Sequence, residues 1–160
     1  MSEIKNVDYG LEKIFDGAKD FLPLLGTDYI EFYVGNAKQA AHFYKTAFGF
    51  QSLAYRGLET GSKESVSYVL KQDKIKLVLT TALNSQSAVG EHVKKHGDGV
   101  FDIAFSVNSA KEAYSSCLSR GAVGYNEPFS NKDENSFLVT LILFVFIEKV
   151  SAPISFLFRE

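Results

Sequence analysis

The strongest constraint on this sequence is that one pattern occurs twice. Ile30, Phe32, Val34, Asn36, Ala37, Lys38, Gln39 and Ala40 return 73 positions later as Ile103, Phe105, Val107, Ser109, Ala110, Lys111, Glu112 and Ala113. Each copy reads as a strand running into a capped helix. In the first, Ile30, Phe32 and Val34 alternate with Tyr29, Glu31 and Tyr33, which makes one face of a strand apolar. Gly35 breaks that strand. Asn36 follows as an N-cap with Gln39 three residues on, close to a capping box. Ala37, Ala40, Ala41, Tyr44 and Phe48 then recur at helical spacing, and Gly49 stops the helix. In the second, the strand is Phe101–Val107 and the capping box is Ser109 with Glu112. Ala110, Ala113, Tyr114, Cys117 and Leu118 form the inward stripe, and Gly121 ends it. The period is too long for a solenoid, so two copies predict a pseudo-symmetric domain.

The segments after each helix complete the module. Gln51–Arg56 reads as a strand, Gly57–Lys63 as a turn, and Ser65–Lys71 as a strand with Val66, Tyr68 and Leu70 on one face. Ile75, Leu77 and Leu79 mark a third, so the order is β-α-β-β-β. A linking helix opens at Asn84–Gln86 and runs to His96, ended by Gly97. Upstream, Leu11, Ile14, Phe15 and Ala18 predict an amphipathic leader helix from about Gly10 to Asp20, ended by Pro23. Downstream, Pro128 to Asn135 reads as a polar loop. Leu138–Ile147 then reads as one buried strand, and Ile154–Phe158 as the last strand. The expected organisation is a leader at 1–24 and an α+β domain at 25–160. Within the domain, module one covers about 28–82, the linking helix about 85–96 and module two about 100–160.

Composition excludes several classes. With 160 residues, 46% hydrophobic and 22% charged, the chain suits one soluble domain with a full core. A formal net charge of −2 leaves no basic footprint for nucleic acid. Cys117 is the only cysteine, so an intrachain disulfide is impossible; with no secretory h-region, a cytoplasmic setting is expected. The apolar run at 138–147 is far below the roughly 20 residues of a spanning helix, so no membrane role is expected.

Few residues offer chemistry. His92 and His96 are spaced i, i+4 on one helix face, which suits a metal. HExxH order is absent, however, and Lys94 and Lys95 add positive charge, so a solvated face is expected. His42, between Ala41 and Phe43, has no second ligand in view. Gly57-Leu58-Glu59-Thr60-Gly61 lacks the Lys-Ser/Thr of a P-loop and joins two strands, so it reads as a plain loop. Ser115, Ser116 and Ser119 stand in no nucleophile-elbow context. Cys117 reads as a small core hydrophobe.

Two β-α-β-β-β modules resemble the vicinal-oxygen-chelate fold of glyoxalases and extradiol dioxygenases. The strings VGNAKQAA, YRGLETG and KHGDGV-x-DIAF are similar to the amino-terminal half of the 4-hydroxyphenylpyruvate dioxygenase family, over about Asp20 to Pro128. The resemblance implies kinship with enzymes that turn 4-hydroxyphenylpyruvate and O2 into homogentisate and CO2 in tyrosine breakdown. Their Fe(II) is held by two His and one Glu. Those ligands belong to the family's carboxy-terminal half, so no catalytic, cofactor or metal residue carries over to any position here, and none is expected to bind iron. The chain by itself is accordingly expected to be inactive. Thr140–Val150 contains no glycine, where the resemblance implies a Gly-Asp-Thr turn. A frameshifted, truncated or diverged final hairpin would each leave that pattern.

In this fold, first-strand residues can hold a metal, and the repeat makes Tyr29 and Asp102 the equivalent positions. Neither is His, Asp102 with Glu148 would be a poor pair for Fe(II), and Asp102 reads as a structural hydrogen-bonding residue. The expected partners are a catalytic half on other residues or a second copy of the chain. The alternative is a metal-free binding module for a small aromatic 2-oxo acid, with Tyr29, Tyr33 and Tyr68 lining an apolar pocket.

Overall fold

The first copy of the repeat becomes β1 (Leu24–Tyr33) and α1 (Ala37–Phe48) in the computed structural model, which describes residues 20–124, 129–133, 136–140, 143–144 and 155–159. Asn36 caps α1 through its side-chain oxygen, which accepts from Gln39 N–H at 3.0 Å. Gly49 ends it at φ 78°, a left-handed turn that a side chain would strain. The chain continues through β2 (Gln51–Arg56), a 3-10 turn (Leu58–Thr60), β3 (Ser65–Gln72) and β4 (Ile75–Ala82). The helix α2 (Ala88–His96) leads to the second copy, β5 (Gly99–Val107) and α3 (Ala110–Ser119). Ser109 caps α3 by accepting from Glu112 N–H at 3.3 Å, as Asn36 caps α1. The remaining strands are β6 (Val123–Gly124), β7 (Phe129–Asp133), β8 (Ser136–Thr140), β9 (Leu143–Phe144) and β10 (Ser155–Arg159).

The sheet order is β2-β3-β4-β1-β5-β10-β9-β6. It reads the same from either edge: β4 runs parallel to β1 as β10 does to β5, and β3 and β9 are antiparallel to those partners. The fold is therefore α+β, with two β-α-β-β-β units meeting at the antiparallel pair β1 and β5. The register places the symmetry axis. Ile30 pairs with Ile103, its own equivalent under the repeat; Tyr29 pairs with Ala104, and Glu31 with Asp102. On either side the register slips by a residue. Asp28 is the extra residue of β1 and Phe101 the extra residue of β5, each turned by a bulge.

Apolar alternation puts Ile30, Phe32, Val34, Leu70, Leu77 and Leu79 on one face. There they pack with Ala37, Ala41, Tyr44 and Phe50. Among the described residues, Ala110, Ala113 and Cys117 of α3 are buried with Val107, and Phe105 and Leu22 pack beside them. Alanines at the contact positions let both helices lie close to the sheet, as the stripes predict. Phe48 and Leu118, in the last turns of their helices, end those stripes exposed.

Three expectations need correction. The linking helix starts at Ala88, not at Asn84–Gln86. Asn84 instead forms a turn, its side chain accepting from Gln86 N–H at 2.9 Å, and Ser87 is the cap. Pro128 to Asn135 is not simply a polar loop, since Phe129–Asp133 pairs with Ser136–Thr140 as a separate two-stranded sheet. Backbone pairing makes that ribbon, and side-chain polarity does not veto it. The apolar run at 138–147 is not one strand. Its first part pairs with β7 and its second, Leu143–Phe144, with β6 and β10. The leader helix expected at Gly10 to Asp20 lies outside the described residues.

Candidate functional site

The sheet face turned away from α1 and α3 carries a row of polar side chains. Alternation that points Ile30 and Phe32 into the core points Glu31 and Tyr33 the other way. Register then lines up one residue from each of four strands: Arg56 pairs with Ser67, Ser67 with Thr80, and Thr80 with Tyr33. Ser65, Ser67, Thr80 and Asp102 are buried. Thr80 Oγ1 donates to Glu31 Oε1 at 2.6 Å and lies 2.9 Å from Ser67 Oγ. A hydroxyl has one hydrogen, so with Thr80 committed to Glu31, Ser67 donates to Thr80. Arg56 Nη2 donates to Ser65 Oγ at 3.3 Å from the exposed edge strand. At the other end of β1 the buried Asp28 forms an ion pair with Lys76.

Burial pushes the Glu31 carboxyl above its ordinary range; the Thr80 hydrogen bond works against this, Asp102 adds to it, and Arg56 opposes it. Burial also raises the Tyr33 hydroxyl, with Glu31 and Asp102 adding to the shift. The Tyr33 ring stacks on the bulged Phe101 at 3.9 Å, with the planes 7° apart. His92 sets its ring edge-on to both, at 5.4 Å from each, and lies 4.9 Å from His96. Burial, then His96, lowers the His92 imidazole below its ordinary value.

The residues singled out in the sequence separate accordingly. Asp102 faces Glu31, not its repeat equivalent Tyr29, because antiparallel pairing about Ile30 and Ile103 crosses the equivalents over. Glu148 lies outside the described residues. His92 is not on a solvated face but packed against two aromatic rings, while Lys94 and Lys95 are exposed. His42 is exposed on α1. Tyr68 belongs to the helix-covered face, beside Leu70 and Leu79, so it does not converge with Tyr33 on one pocket. The loop at Gly57–Gly61 is closed by Thr60, whose hydroxyl accepts from Gly57 N–H at 2.9 Å and donates to Gly57 O at 3.0 Å. That leaves no cradle for phosphate. Ser115 and Ser119 donate to helix carbonyls at Lys111 and Ser116. Two surface clefts, of about 400 and 380 Å³, lie elsewhere, beside Leu22, Val107 and Ala113 and beside Gly49, Leu53 and Gln72. The sequence reading missed the row from Glu31 through Thr80 to Ser67. Its only signal was polar residues at the alternate positions, which ordinarily means solvent.

The arrangement fills space with satisfied hydrogen bonds. Among the described residues no buried side-chain polar atom lacks a partner, and no three His, Cys, Asp or Glu side chains converge. A two-imidazole, one-carboxylate iron site does not fit this donor set. Glu31 is hydrogen-bonded to Thr80, its carboxyl raised by burial, and among the described residues nothing brings a carboxylate and two imidazoles together: His92 packs on Tyr33 and Phe101, with His96 beside it. Among the described residues no helix is long and apolar enough to cross a membrane.

Comparison with known proteins gives one consistent answer. The family model described as hydroxyphenylpyruvate dioxygenase, HPPD, N-terminal matches residues 19–141. A 4-hydroxyphenylpyruvate dioxygenase from Danio rerio is 50% identical over 110 residues, 68% of this chain and 28% of that protein. One from Dictyostelium discoideum is 43% identical over 117 residues, 72% of this chain and 32% of that protein. The chain thus spans about a third or less of the length of these curated relatives. Among solved structures, a variant of 4-hydroxymandelate synthase from Streptomyces coelicolor superposes with a TM-score of 0.71 at 27% identity, over 86% of this chain and 37% of that one. Methylmalonyl-CoA epimerase from Mycobacterium tuberculosis, at 15% identity and a TM-score of 0.65, covers 89% of this chain and 92% of its own, and shares the fold alone. These neighbours bear out the vicinal-oxygen-chelate fold.

Proposed function

The chain belongs to the family of hydroxyphenylpyruvate dioxygenase N-terminal domains, and from that premise we propose that it serves as the supporting, non-catalytic domain of a 4-hydroxyphenylpyruvate dioxygenase. The reaction would be conversion of 4-hydroxyphenylpyruvate and O2 to homogentisate and CO2. The Fe(II) chemistry would be carried by residues other than those of the described sheet.

The observation that carries this reading is the state of the sheet face where a relative of this fold would place a reacting centre. Here Glu31, Thr80 and Ser67 use their donors and acceptors on one another. Asp102 lies buried beside Glu31, whose carboxyl already accepts from the Thr80 hydroxyl. The outer surface supports a structural role. Phe43, Phe48 and Leu53 stand more than half exposed around α1 and the edge strand β2. Phe43 and Phe48 contact each other at 5.7 Å. Grouped exposed aromatics mark a surface that other protein covers.

The test is turnover. The purified chain, reconstituted with Fe(II) under reducing conditions and supplied with 4-hydroxyphenylpyruvate and O2, is expected to release no homogentisate above the protein-free blank. Release above the blank, tracking chain concentration, would overturn the assignment.

A further inference from the structure

We propose that His92 and His96 form a two-imidazole binding site for a divalent transition metal ion of the zinc class, on the last turns of α2 where that helix meets β1 and β5. The site is distinct from the dioxygenase iron and from the proposed supporting role.

The geometry supports it. Zinc binds imidazole nitrogen at about 2.0–2.1 Å, which puts each ring centroid about 3.2 Å from the ion. Two such rings subtending roughly 90–110° at the metal have centroids about 4.5–5.2 Å apart. The observed separation is 4.9 Å, with the ring planes 48° apart. A chance i, i+4 pair on a bare helix would have free rotamers. Here His92 is held edge-on by Tyr33 and Phe101, at interplanar angles of 90° and 86°, so one ligand is already oriented.

The surroundings favour a cation. His96 is in the final turn, where the helix's free carbonyls carry partial negative charge. Lys94 stands two positions from each histidine and so on the far side of the helix, where it pairs with Glu91 at 3.7 Å. Lys95 is exposed and long enough to extend into water. Both histidines are partly exposed, which leaves room for water to complete the coordination shell. Two imidazoles select zinc, nickel or copper over magnesium or calcium, which prefer oxygen.

Calorimetric titration of the untagged chain with zinc, and separately with magnesium, tests this. One zinc per chain is expected, with no magnesium heat. His96→Ala, which leaves the His92 packing intact, should weaken zinc at least about tenfold, the loss that even an outer partner costs a metal site. His42→Ala should leave it unchanged. Zinc should also raise the thermal midpoint of the parent chain and not that of His96→Ala. No zinc binding at millimolar metal overturns the proposal, as does any weakening short of tenfold in His96→Ala.

Discussion

The two copies of the repeat share a backbone and differ in what they carry. Each has a strand, a side-chain cap and a helix lying on alanines, and they meet at Ile30 and Ile103. Equivalent positions have nevertheless diverged: Tyr29 answers to Asp102, and Glu31 to Ala104. Antiparallel pairing then brings both acids, Glu31 and Asp102, into one cross-strand pair and leaves Tyr29 with Ala104 in the other. The helices differ in what they bury: α1 buries Ala37 and Ala41, and α3 buries Ala110, Ala113 and Cys117. A symmetric backbone therefore does not yield two equal sites.

The largest way to sharpen that contrast is to empty each core. Leu70, with no exposed surface, should lose about 2–5 kcal/mol on truncation in Leu70→Ala. Cys117→Ala on the buried face of α3 should lose about 1 kcal/mol, the worth of one buried group. Urea unfolding of the whole chain measures both, and equal losses would break the comparison. The caps should behave alike instead. Asn36→Ala and Ser109→Ala are each expected to cost about 1 kcal/mol, and a clear inequality would mean the two copies are not held in the same way.

The subtlest prediction concerns the acid pair. Because the folded state raises the Glu31 carboxyl above its ordinary 4.5, the folded chain holds that proton more tightly than the unfolded chain does. Its stabilising contribution is full below that ordinary value and lost as pH rises through the folded one. Glu31→Gln, which keeps an acceptor for Thr80, should flatten this part of the stability profile and gain stability at neutral pH. Urea midpoints measured from acid to neutral pH decide it, and an unchanged slope would overturn the raised Glu31 carboxyl.

Much of the fold was legible because its signals are local. The capping boxes, the alternation of Ile30, Phe32 and Val34, and the stop at Gly49 depend on a few neighbouring residues. Residues near the end of the chain were less legible. The run from Leu138 is apolar throughout, and apolarity alone does not say that Ser136–Thr140 pairs with β7 while Leu143–Phe144 pairs with β6 and β10. The sheet face away from the helices was missed for a similar reason. Ser67, Thr80 and Glu31 look like a solvent side, whereas Ser67 and Thr80 are buried and all three are hydrogen-bonded. His92 read as solvated until Phe101, displaced by the bulge, was seen to stack on Tyr33 beneath it.

The sequence by itself determined the repeat, its caps and the kinship that rests on them, because helix and strand signals act over a few residues of chain. Only the tertiary structure decided that Glu31 faces Asp102, that Thr80 links that carboxyl to Ser67, and that His92 packs against Tyr33 and Phe101 beside His96. Those relations depend on register between strands and on which side chains exclude water, and both arise only when distant segments pack.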